Sequence, residues 1–457
     1  MKTTWYEKVF RHLLYPAWES GLQRRHTLAY LAEYRRAQWL APEQIAALQW
    51  RRLKHLLEHC ERDVPYYRRR WRELGIAVAD IRNLDDYARL PVLTKADIRL
   101  HLDELTAESW RGRLLSKATG GSTGDPMRFG YTRESYERRT AVMWRGYEWA
   151  GSHMGRPTLF LWGGAVGEQT AMQRMKERVY NAAFARRVLN SFHMTESNMA
   201  EFADAIDSYR PQVIVGYVGP LVRLAQWLIA TGRRVARPQS IIGAAEALHE
   251  FQRQLVEQAF GCPAYNTYGC REFMLIAAEC EKREGLHVNA DHLVVELIRS
   301  AGEPSSGRSG EVVVTDLYNY GMPFVRYLNG DLATSSDHHC SCGRGLPLLQ
   351  KVDGRVLDAI RTPAGHVLPG EFFPHMLKDV PGLARFQVVQ RRLDELDLAL
   401  VRGPGFDDSS IDYIRRELAK VVGDSLTLRC HFVEDIPLTP SGKWRVTRSE
   451  LPVSPVA

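Results

Sequence analysis

The sequence predicts a mixed α/β fold with a large N-terminal domain and a small, mobile α+β C-terminal domain. Short apolar runs alternate with helical patterns between residues 158 and 260, and this alternation predicts layers of parallel sheet with crossover helices. From Gly285 to Asp331 short strands separated by turns follow one another, which predicts a small antiparallel or barrel-like subdomain. The 457 residues also exceed what one core serves, since cores stop growing beyond about 250 to 300 residues. We therefore expect one domain over residues 1–353 and a second over residues 354–457.

The first ninety residues are predicted to be helical, as the opening part of the large domain. Leu53, Leu56 and Leu57 recur at helical spacing between charged residues. The tetrapeptide Thr94-Lys95-Ala96-Asp97 is a capping signal that predicts the start of another helix. A further helix is predicted over residues 136–149.

The middle of the chain supplies the predicted parallel sheet and its crossovers. The strands are predicted at residues 158–162, 213–218 and 240–244, and the helices at residues 196–209, 220–231 and 249–260. The barrel-like part has predicted strands at residues 293–299, 311–316 and 324–327. A turn at Asp353-Gly354-Arg355 then precedes the C-terminal unit. That unit has predicted strands at residues 386–390, 395–401 and 427–433 and a helix at residues 410–422.

Composition and charge describe an ordinary globular protein. Hydrophobic residues make up 45% and charged residues 25%, which excludes disordered and fibrous classes. The net charge of +7 comes largely from arginines in the first eighty residues. These arginines form either the wet side of amphipathic helices, which we favour, or a face for nucleic acid or an anionic membrane. We accordingly expect neither a nucleic-acid partner nor a membrane, and leave a homodimer open.

Targeting signals and cysteine usage favour a cytoplasmic protein. The N-terminus has neither a signal nor a transit pattern, and no stretch approaches the roughly 18 apolar residues of a membrane span. The seven cysteines are an odd number scattered over a long chain, which argues against a disulfide framework.

Two segments carry candidate chemistry. The first is a loop of small residues, Thr119-Gly120-Gly121-Ser122-Thr123-Gly124, whose backbone N–H groups and hydroxyls can close around phosphate oxygens. It lacks the Gly-Lys-Ser/Thr ending of a Walker loop. The second is a Pro/Gly turn near the C-terminus that presents Lys443, where a mobile catalytic lysine would sit, although such a lysine is more often only solvated.

The loop, with the proline that follows it, resembles the signature loop of the adenylate-forming superfamily of acyl-CoA ligases, adenylation domains and luciferases. Further segments resemble other motifs of that superfamily in the same order: Tyr268-Gly269-Cys270-Arg271-Glu272 its Tyr-Gly-x-x-Glu, Gly330-Asp331 its ribose-binding pair, Gly354-Arg355 its hinge-adjacent pair, and Lys443 its C-terminal lysine. The resemblance covers about residue 90 to the end. The short chain, the helical N-terminus and the segments 278–287 and 323–327 are similar to the phenylacetate-CoA ligase and CapK-like branch.

The resemblance implies a role for each segment. The loop residues Thr119 to Gly124 would hold the phosphates of ATP, and the segment Gly243-Ala244-Ala245-Glu246 would line the adenine and acyl pockets. The remaining implied roles are adenine stacking by Tyr268 next to Gly269, ribose binding by Asp331, nucleotide binding by Arg355, Mg²⁺ binding by Glu272, and charge stabilisation by Lys443. Lysine suits this role as a flexible point charge, and a carboxylate is a hard ligand for Mg²⁺.

The resemblance also implies the reaction. A carboxylate would attack the α-phosphate of ATP, pyrophosphate would leave, and the acyl-AMP would pass its acyl group to CoA. Relatives of the CapK type could instead use an amine or a carrier protein, and a catalytically inactive scaffold with the same fold is the alternative of another class. Trp162, Phe192, His193 and Tyr217 are candidates for an acyl pocket that suits an aromatic acid, although aromatic residues at strand ends are more often core.

A set of soft ligands predicts a structural Zn²⁺ site. Cys280, His287, Cys340 and Cys342 offer the Cys₃His set that tetrahedral zinc accepts, and His338 or His339 could replace one of them. The alternative is four unrelated reduced residues.

Two departures from the superfamily pattern are expected to matter. Met127-Arg128 stands where many relatives have a lysine after the loop proline, so that charge is missing or comes from Arg128. The hinge acid two residues after Arg355 is replaced by Leu357, with Asp358 one step later, which leaves the pivot for domain rotation in doubt.

Overall fold

The fold is taken from a computed structural model of the chain. It describes residues 5–118, 127–163, 171–191, 194–298, 309–355, 360–363, 367–368, 372–377, 380, 382–403, 405–422, 426–436 and 446–451. Four segments with predicted functions lie outside these ranges: the Gly/Ser/Thr loop, the turn that carries Lys443, the pair Phe192 and His193, and the pair Leu357 and Asp358.

Helices make up most of the N-terminal quarter and cover the central sheet. The α-helices are α1 (Trp5–Val9), α2 (Thr27–Ala37), α3 (Pro42–Asp63), α4 (Pro65–Glu73), α5 (Leu84–Tyr87), α6 (Lys95–Leu100), α7 (Arg133–Trp149), α8 (Ala171–Ala183), α9 (Met199–Tyr209), α10 (Val218–Thr231), α11 (Glu250–Phe260), α12 (Phe372–Leu377) and α13 (Asp408–Val422). Two π-helical segments, Phe10–Leu14 and Ala17–Leu22, follow α1. The predicted start of α6 is confirmed, because the Thr94 hydroxyl accepts from the Asp97 N–H while the Asp97 carboxylate accepts from the Thr94 N–H.

The strands divide into one large sheet and three small ones. They are β1 (Leu115–Ala118), β2 (Arg128–Tyr131), β3 (Thr158–Trp162), β4 (Arg186–Asn190), β5 (Val213–Tyr217), β6 (Ser240–Ala244), β7 (Ala264–Tyr268), β8 (Ala277–Glu279), β9 (Leu286–Val288), β10 (Leu293–Ile298), β11 (Ser309–Asp316), β12 (Tyr327–Ser335), β13 (Leu348–Arg355), β14 (Ile360–Arg361), β15 (Val367–Leu368), β16 (Leu383–Arg392), β17 (Glu395–Arg402), β18 (Thr427–Phe432) and β19 (Thr447–Ser449).

The large sheet has eleven strands in the order β10-β11-β12-β13-β9-β8-β7-β6-β5-β3-β4. Strands β3 to β7 run parallel, with helical crossovers between them, as the alternating pattern predicts. From β7 onward the neighbours are antiparallel. The mixed α/β class is therefore confirmed. The strands expected in an antiparallel or barrel-like subdomain are antiparallel, and they continue the same hydrogen-bonded series as the parallel strands instead of closing a barrel.

Two predicted local features differ from the structure. The expected turn at Asp353-Gly354-Arg355 is wrong, because these residues end strand β13 and pair with β12. Gly354 has φ +108° and lies where the register of that pair shifts, so the turn-like composition marks a β-bulge inside a strand. The expected strand at residues 324–327 is also wrong for its first three residues, since β12 begins at Tyr327.

Buried side chains form separate clusters around the parts of the fold. One joins the N-terminal helices to the antiparallel half of the large sheet, and includes Leu53, Trp71 and Phe273. A second packs α9, α10 and α11 on the parallel strands. A third lies in the C-terminal unit, where α12 and α13 pack on the four-stranded sheet β18-β17-β16-β19.

The arginines of the first eighty residues mainly face acidic side chains. Arg52, Arg68 and Arg69 pair with glutamates at 2.5 to 2.9 Å. This supports their interpretation as the wet faces of helices. Among the described residues, no helix combines the length and the apolar composition needed to cross a membrane.

Candidate active site

The carboxyl ends of the parallel strands meet at one edge of the large sheet, where open α/β folds bind ligands. Trp162, Tyr217, Ala244 and Tyr268 are the last residues of β3, β5, β6 and β7. The rings of Trp162 and Tyr217 are half-buried, with centroids 4.5 Å apart. The structure thus brings together two of the four predicted acyl-pocket residues. The other two, Phe192 and His193, lie outside the described residues.

A hydrogen-bonded cluster surrounds Asp331 on strand β12. The Tyr268 hydroxyl donates to Asp331 Oδ2 at 2.9 Å, and Asn329 Nδ2 donates to the same oxygen at 3.0 Å. Asn329 also donates to the Tyr268 hydroxyl at 2.8 Å and accepts from the Asp331 N–H at 2.9 Å. Burial and the Asp331 charge raise the pKa of Tyr268 well above its usual value, so this phenol stays protonated and remains a donor. The cluster joins the end of β7 to the middle of β12, across more than sixty residues of sequence.

Glu272 lies in the tight turn that follows β7. Its side chain is buried, and Oε1 accepts the Tyr327 hydroxyl at 2.9 Å. Gly269 opens this turn, where a Cβ atom would lie 1.8 Å from the Met274 carbonyl oxygen. The close approach of two backbone segments therefore requires glycine at this position. A buried carboxylate on a rigid turn is a suitable hard ligand for Mg²⁺.

Two residues of this cluster were not predicted from the sequence. Tyr327, Asn329 and Asp331 alternate along β12 and direct their side chains to the same side of the sheet. The Tyr-x-Asn-x-Asp spacing would have shown this, because alternate residues of a strand share a face.

A cation on α6 also lies near the Asp331 cluster. Lys95 Nζ is 3.9 Å from the place that a Cβ atom on Gly330 would occupy. The strand-like pairing of Leu93 with Tyr327 brings α6 to this edge of the sheet. The sequence marks Lys95 only as part of a capping pattern, which says nothing about its neighbours.

The segment after β6 contacts the first turn of helix α10. Ala245 has φ +67°, an unusual conformation for a residue with a side chain. Glu246 Oε2 accepts from the Gly219 N–H at 2.6 Å, at the first turn of α10. The predicted pocket residues Ala244, Ala245 and Glu246 thus lie beside the carboxyl ends of the strands, with the glutamate engaged at a helix N-terminus.

Strands β1 and β2 bring together the two ends of the Gly/Ser/Thr loop. Ala118 pairs with Arg128 across this two-stranded sheet. Arg271, in the turn after β7, donates from Nη1 to the Ala118 carbonyl oxygen at 2.9 Å. The base of the predicted phosphate loop is therefore next to the turn that carries Glu272.

Arg355 lies opposite Asp331 in the pairing of β13 with β12. Two predicted nucleotide residues that are 24 positions apart in sequence thus occupy neighbouring strands.

The four predicted zinc ligands also meet. The ligand atoms of Cys280, His287, Cys340 and Cys342 all lie within 4.8 Å of one another. The Cys280 and Cys340 sulfurs are 3.6 Å apart, and Cys342 Sγ is 3.3 Å from His287 Nε2. Zinc–sulfur bonds of about 2.3 Å in a tetrahedron separate two sulfurs by about 3.8 Å, so the spacing fits zinc rather than a disulfide of about 2.05 Å.

The surroundings of these four residues also suit a metal. His287 Nδ1 is 3.3 Å from the Leu346 carbonyl oxygen, an interaction that orients the ring with Nε2 toward the cysteines. The Lys282 and Arg344 N–H groups donate to the sulfurs of Cys280 and Cys342 at 3.4 Å. Burial lowers the pKa of His287 to about 4, which favours the neutral imidazole that a metal binds.

Comparison with known proteins gives consistent similarities. Residues 360–450 match the family model described as the CapK C-terminal domain. A phenylacetate-coenzyme A ligase from Thermus thermophilus is 29% identical over 399 residues, which cover 83% of this chain and 87% of that protein. Protein CapK from Staphylococcus aureus is 23% identical over 438 residues, which cover 93% of each chain.

The fold also matches a solved enzyme. A crystal structure of 2-hydroxyisobutyryl-CoA ligase, in the postadenylation state with R3-HIB-AMP, gives a TM-score of 0.72. The match covers 91% of each chain at 20% identity, and at that identity it shows the shared fold alone.

Proposed function

Because the chain belongs to the adenylate-forming superfamily, in the branch of phenylacetate-CoA ligase and CapK, we propose that it is an AMP-forming acid–thiol ligase. In the first half-reaction a carboxylate oxygen attacks the α-phosphorus of ATP, and the bond to pyrophosphate breaks. In the second the sulfur of CoA attacks the acyl carbon, and AMP leaves.

The observation that carries this proposal is the cluster of Tyr268, Asn329 and Asp331. The Asp331 carboxylate, held in a fixed orientation beside the end of β7, can accept charge-assisted hydrogen bonds from the two hydroxyls of a ribose. The cluster lies beside the turn of Glu272 and near the strand ends of Trp162 and Tyr217. Nucleotide, metal and acid would then meet at one edge of the sheet, as the reaction requires.

The first half-reaction requires positive charge near the phosphates. Glu272 would hold Mg²⁺, which when bound neutralises phosphate charge. The loop Thr119–Gly124 would offer backbone N–H groups and hydroxyls to the phosphate oxygens, while Arg355 and the segment Ala244–Glu246 would border the nucleotide. Lys443 would add its ammonium at the reacting oxygens while the C-terminal unit is closed.

The acid is expected to be aromatic or of similar size. The packed rings of Trp162 and Tyr217 at the strand ends offer an apolar wall, and aromatic rings pack well in offset or tilted pairs. The phenylacetate-CoA ligases among the relatives support the same choice. CoA is the proposed acceptor. ATP and CoA are cytoplasmic metabolites, so we place the reaction in the cytoplasm. A homodimer is also part of the proposal.

We also propose one structural Zn²⁺ at Cys280, His287, Cys340 and Cys342, supported by their mutual distances. It would tie the β8–β9 hairpin to the loop between β12 and β13, and so brace the strand that carries Asp331. Its role is structural, because all four coordination positions are filled by protein.

A pyrophosphate-release screen over aromatic and aliphatic acids tests the proposed function. Purified protein with ATP, Mg²⁺ and phenylacetate or a related acid should release pyrophosphate, and added CoA should give the thioester by mass spectrometry. Replacing CoA with amines in the same assay tests the alternative acceptor. If folded protein releases no pyrophosphate with any acid, the inactive-scaffold alternative replaces this proposal.

A further inference from the structure

The position that carries a lysine in many members of the superfamily contributes no charge to the phosphate loop of this chain. Met127 directly follows the loop proline, and its side chain is only 1% exposed. Arg128 is exposed at the start of β2, opposite Ala118. A second cation, however, reaches the same loop base from a different part of the fold.

That cation is Arg271, in the turn between Cys270 and Glu272. Its guanidinium donates from Nη1 to the Ala118 carbonyl oxygen at 2.9 Å, while the residue as a whole stays exposed. Within the described part of the chain this is its only hydrogen bond, and no carboxylate lies within 4.0 Å of it. Arginine has five N–H donors, so most of this fork is left to water or to a ligand.

A second unpaired cation is close by. Lys117, one residue before Ala118, is half-buried, with its ammonium 5.2 Å from the centroid of the Tyr131 ring. Burial and the positive charges of Arg139 and Arg271 lower the pKa of Lys117. The charge of Arg139 is balanced by Asp316 at 2.6 Å, whereas Lys117 and Arg271 have no such acid among the described residues. Neighbouring cations without a counter-charge repel one another, and a bound anion would relieve this repulsion.

We propose that Arg271 binds a phosphate group of ATP and supplies the charge that Met127 lacks. The inference rests on the proposed function, because Asp331 must hold the ribose for the phosphates to extend toward the loop. Arg271 lies in the same turn as Glu272, the proposed Mg²⁺ ligand, and its contact with Ala118 places that turn beside the base of the loop. The planar guanidinium can bind phosphate through two parallel N–H groups, which gives direction as well as charge.

The simpler structural alternative is that Arg271 only anchors the loop through Ala118. Two substitutions separate these roles. Arg271→Gln keeps an N–H donor and removes the charge, whereas Arg271→Lys keeps the charge and loses the planar fork. Arg51→Gln is the matched control, because Arg51 is an exposed arginine on α3 without an ion pair among the described residues.

Affinities for ATP, AMP and adenosine, measured by calorimetry with competition where binding is weak, decide the matter. Arg271→Gln should weaken the affinity for ATP by about tenfold to a hundredfold, the usual effect of losing one hydrogen bond to a charged group. Its affinity for adenosine should equal that of the wild type. Arg271→Lys should recover part of the loss, and Arg51→Gln should match the wild type. A loss confined to ATP assigns the contact to the terminal phosphates, and an equal loss for AMP assigns it to the α-phosphate.

Two results would overturn the inference. One is normal ATP binding by Arg271→Gln, which makes the residue an anchor at most, and the other is an equal loss for adenosine and ATP. Asp331→Ala serves as the reference, since it should weaken the affinities for ATP and adenosine together. Wild-type protein that binds no ATP would instead refute the proposed function itself, so the two failures are distinguishable.

Discussion

The Asp331 carboxylate is oriented by the protein before any ligand binds. Tyr268 and Asn329 both donate to Oδ2, and the Asn329 amide oxygen accepts from the Asp331 backbone. These bonds restrict the rotation of the carboxylate, so less conformational freedom would be lost in the proposed binding of the ribose hydroxyls. The same bonds make Asp331 the most informative single position for testing nucleotide binding.

Asp331→Ala should weaken ATP binding by about tenfold to a hundredfold, because a hydrogen bond to a charged group contributes roughly 1.5 to 3 kcal/mol. Calorimetric titration with ATP checks this. Tyr268→Phe should have a smaller effect in the same direction, since it removes one bond that orients the carboxylate and leaves the carboxylate itself. Unchanged ATP affinity in Asp331→Ala would mean that the ribose binds elsewhere.

At the residue scale the sequence predicts the candidate site residues that have their own motif. Tyr268, Glu272 and Asp331 each stand in a recognisable segment, and the structure places them at one edge of the sheet. The alternate spacing of Tyr327, Asn329 and Asp331 shows that they share a face of the strand. What Tyr327, Asn329 and Arg271 contact, however, depends on which distant strand or turn they face. Such contacts are set by strand order, and a linear pattern does not contain it.

At the scale of single elements, the turn from β7 to β8 has the tightest requirement in the site. Gly269 cannot accept a side chain without moving the backbone at Met274, and Met274 itself has φ +63°. The Met274 N–H donates to the Cys270 carbonyl at 2.8 Å, which closes the turn around Glu272.

Gly269→Ala should therefore both destabilise the protein and displace Glu272. Overpacking typically costs about 1 to 3 kcal/mol, and here the atom that must move is backbone rather than a flexible side chain. The unfolding temperature and the rate of pyrophosphate exchange should both fall. Gly21→Ala is the control, because a Cβ atom at Gly21 meets nothing within 4 Å. A Gly269→Ala protein with wild-type stability and exchange would show that this turn tolerates a side chain.

The cysteine and histidine cluster connects the β8–β9 hairpin to the loop between β12 and β13, which also contact each other through Glu284 and Ser341 and through Glu281 and Arg344. Removing zinc with a strong chelator, or replacing one ligand by Cys340→Ser, should lower the unfolding temperature before it alters catalysis. A lost contribution of about 2 kcal/mol corresponds to roughly 3 °C for a domain of about 350 residues, because the unfolding entropy grows with domain size. Elemental analysis of the folded protein should find one zinc per chain.

Cys430→Ser is the control for this experiment, because Cys430 is half-buried on β18 and lies apart from the cluster. It should keep both the zinc content and the unfolding temperature. Folded protein without stoichiometric zinc would leave the four residues as unrelated reduced side chains.

Element boundaries follow the sequence closely where an apolar run marks a strand, and poorly where only turn-like composition is available. The predicted strands at residues 158–162 and 240–244 coincide with β3 and β6, because apolar runs bounded by small residues have few other uses. The Asp-Gly pair at residues 353–354 looks like a turn by composition, yet it forms a bulge in β13. Glycine serves both conformations, so pairing with β12 decides between them.

At the scale of the whole molecule, the strand order brings together the residues that flank the Gly/Ser/Thr loop, the turn after β7, Asp331 and Arg355, although they span more than two hundred residues. Strand β7 borders both halves of the large sheet, and the turn after it reaches the base of the loop through Arg271. Strand β12 returns Asp331 to the end of β7, and β13 sets Arg355 opposite Asp331. The sequence predicts the order of the motifs and the class of the fold. The continuous eleven-stranded series could not be predicted, because it depends on which strands pair across the change from parallel to antiparallel.

The domain boundary between residues 353 and 354 stays a prediction. A substitution of Lys443 tests whether the C-terminal unit takes part in the reaction. The C-terminal sheet has its own buried cluster, with Val388, Leu398 and Ile414 at its centre. A unit with its own core can move as one body relative to the large sheet. A lysine carried by such a unit would act on ATP only while the unit is closed over the site.

Lys443→Ala should consequently reduce acid-dependent pyrophosphate exchange by roughly a hundredfold or more, the scale of losing one preorganised donor to a developing charge. Transfer from chemically supplied acyl-AMP to CoA should survive, because the adenylation transition state is then no longer on the path. Arg416→Ala is the matched control, since it removes an exposed positive charge from α13 in the same unit, and it should leave both half-reactions intact. If Lys443→Ala exchanges pyrophosphate normally, Lys443 is not the adenylation lysine. If both half-reactions fall together in a folded protein, the alternation of domain positions does not apply to this chain, and the replacement of the hinge acid by Leu357 becomes the place to look for the reason.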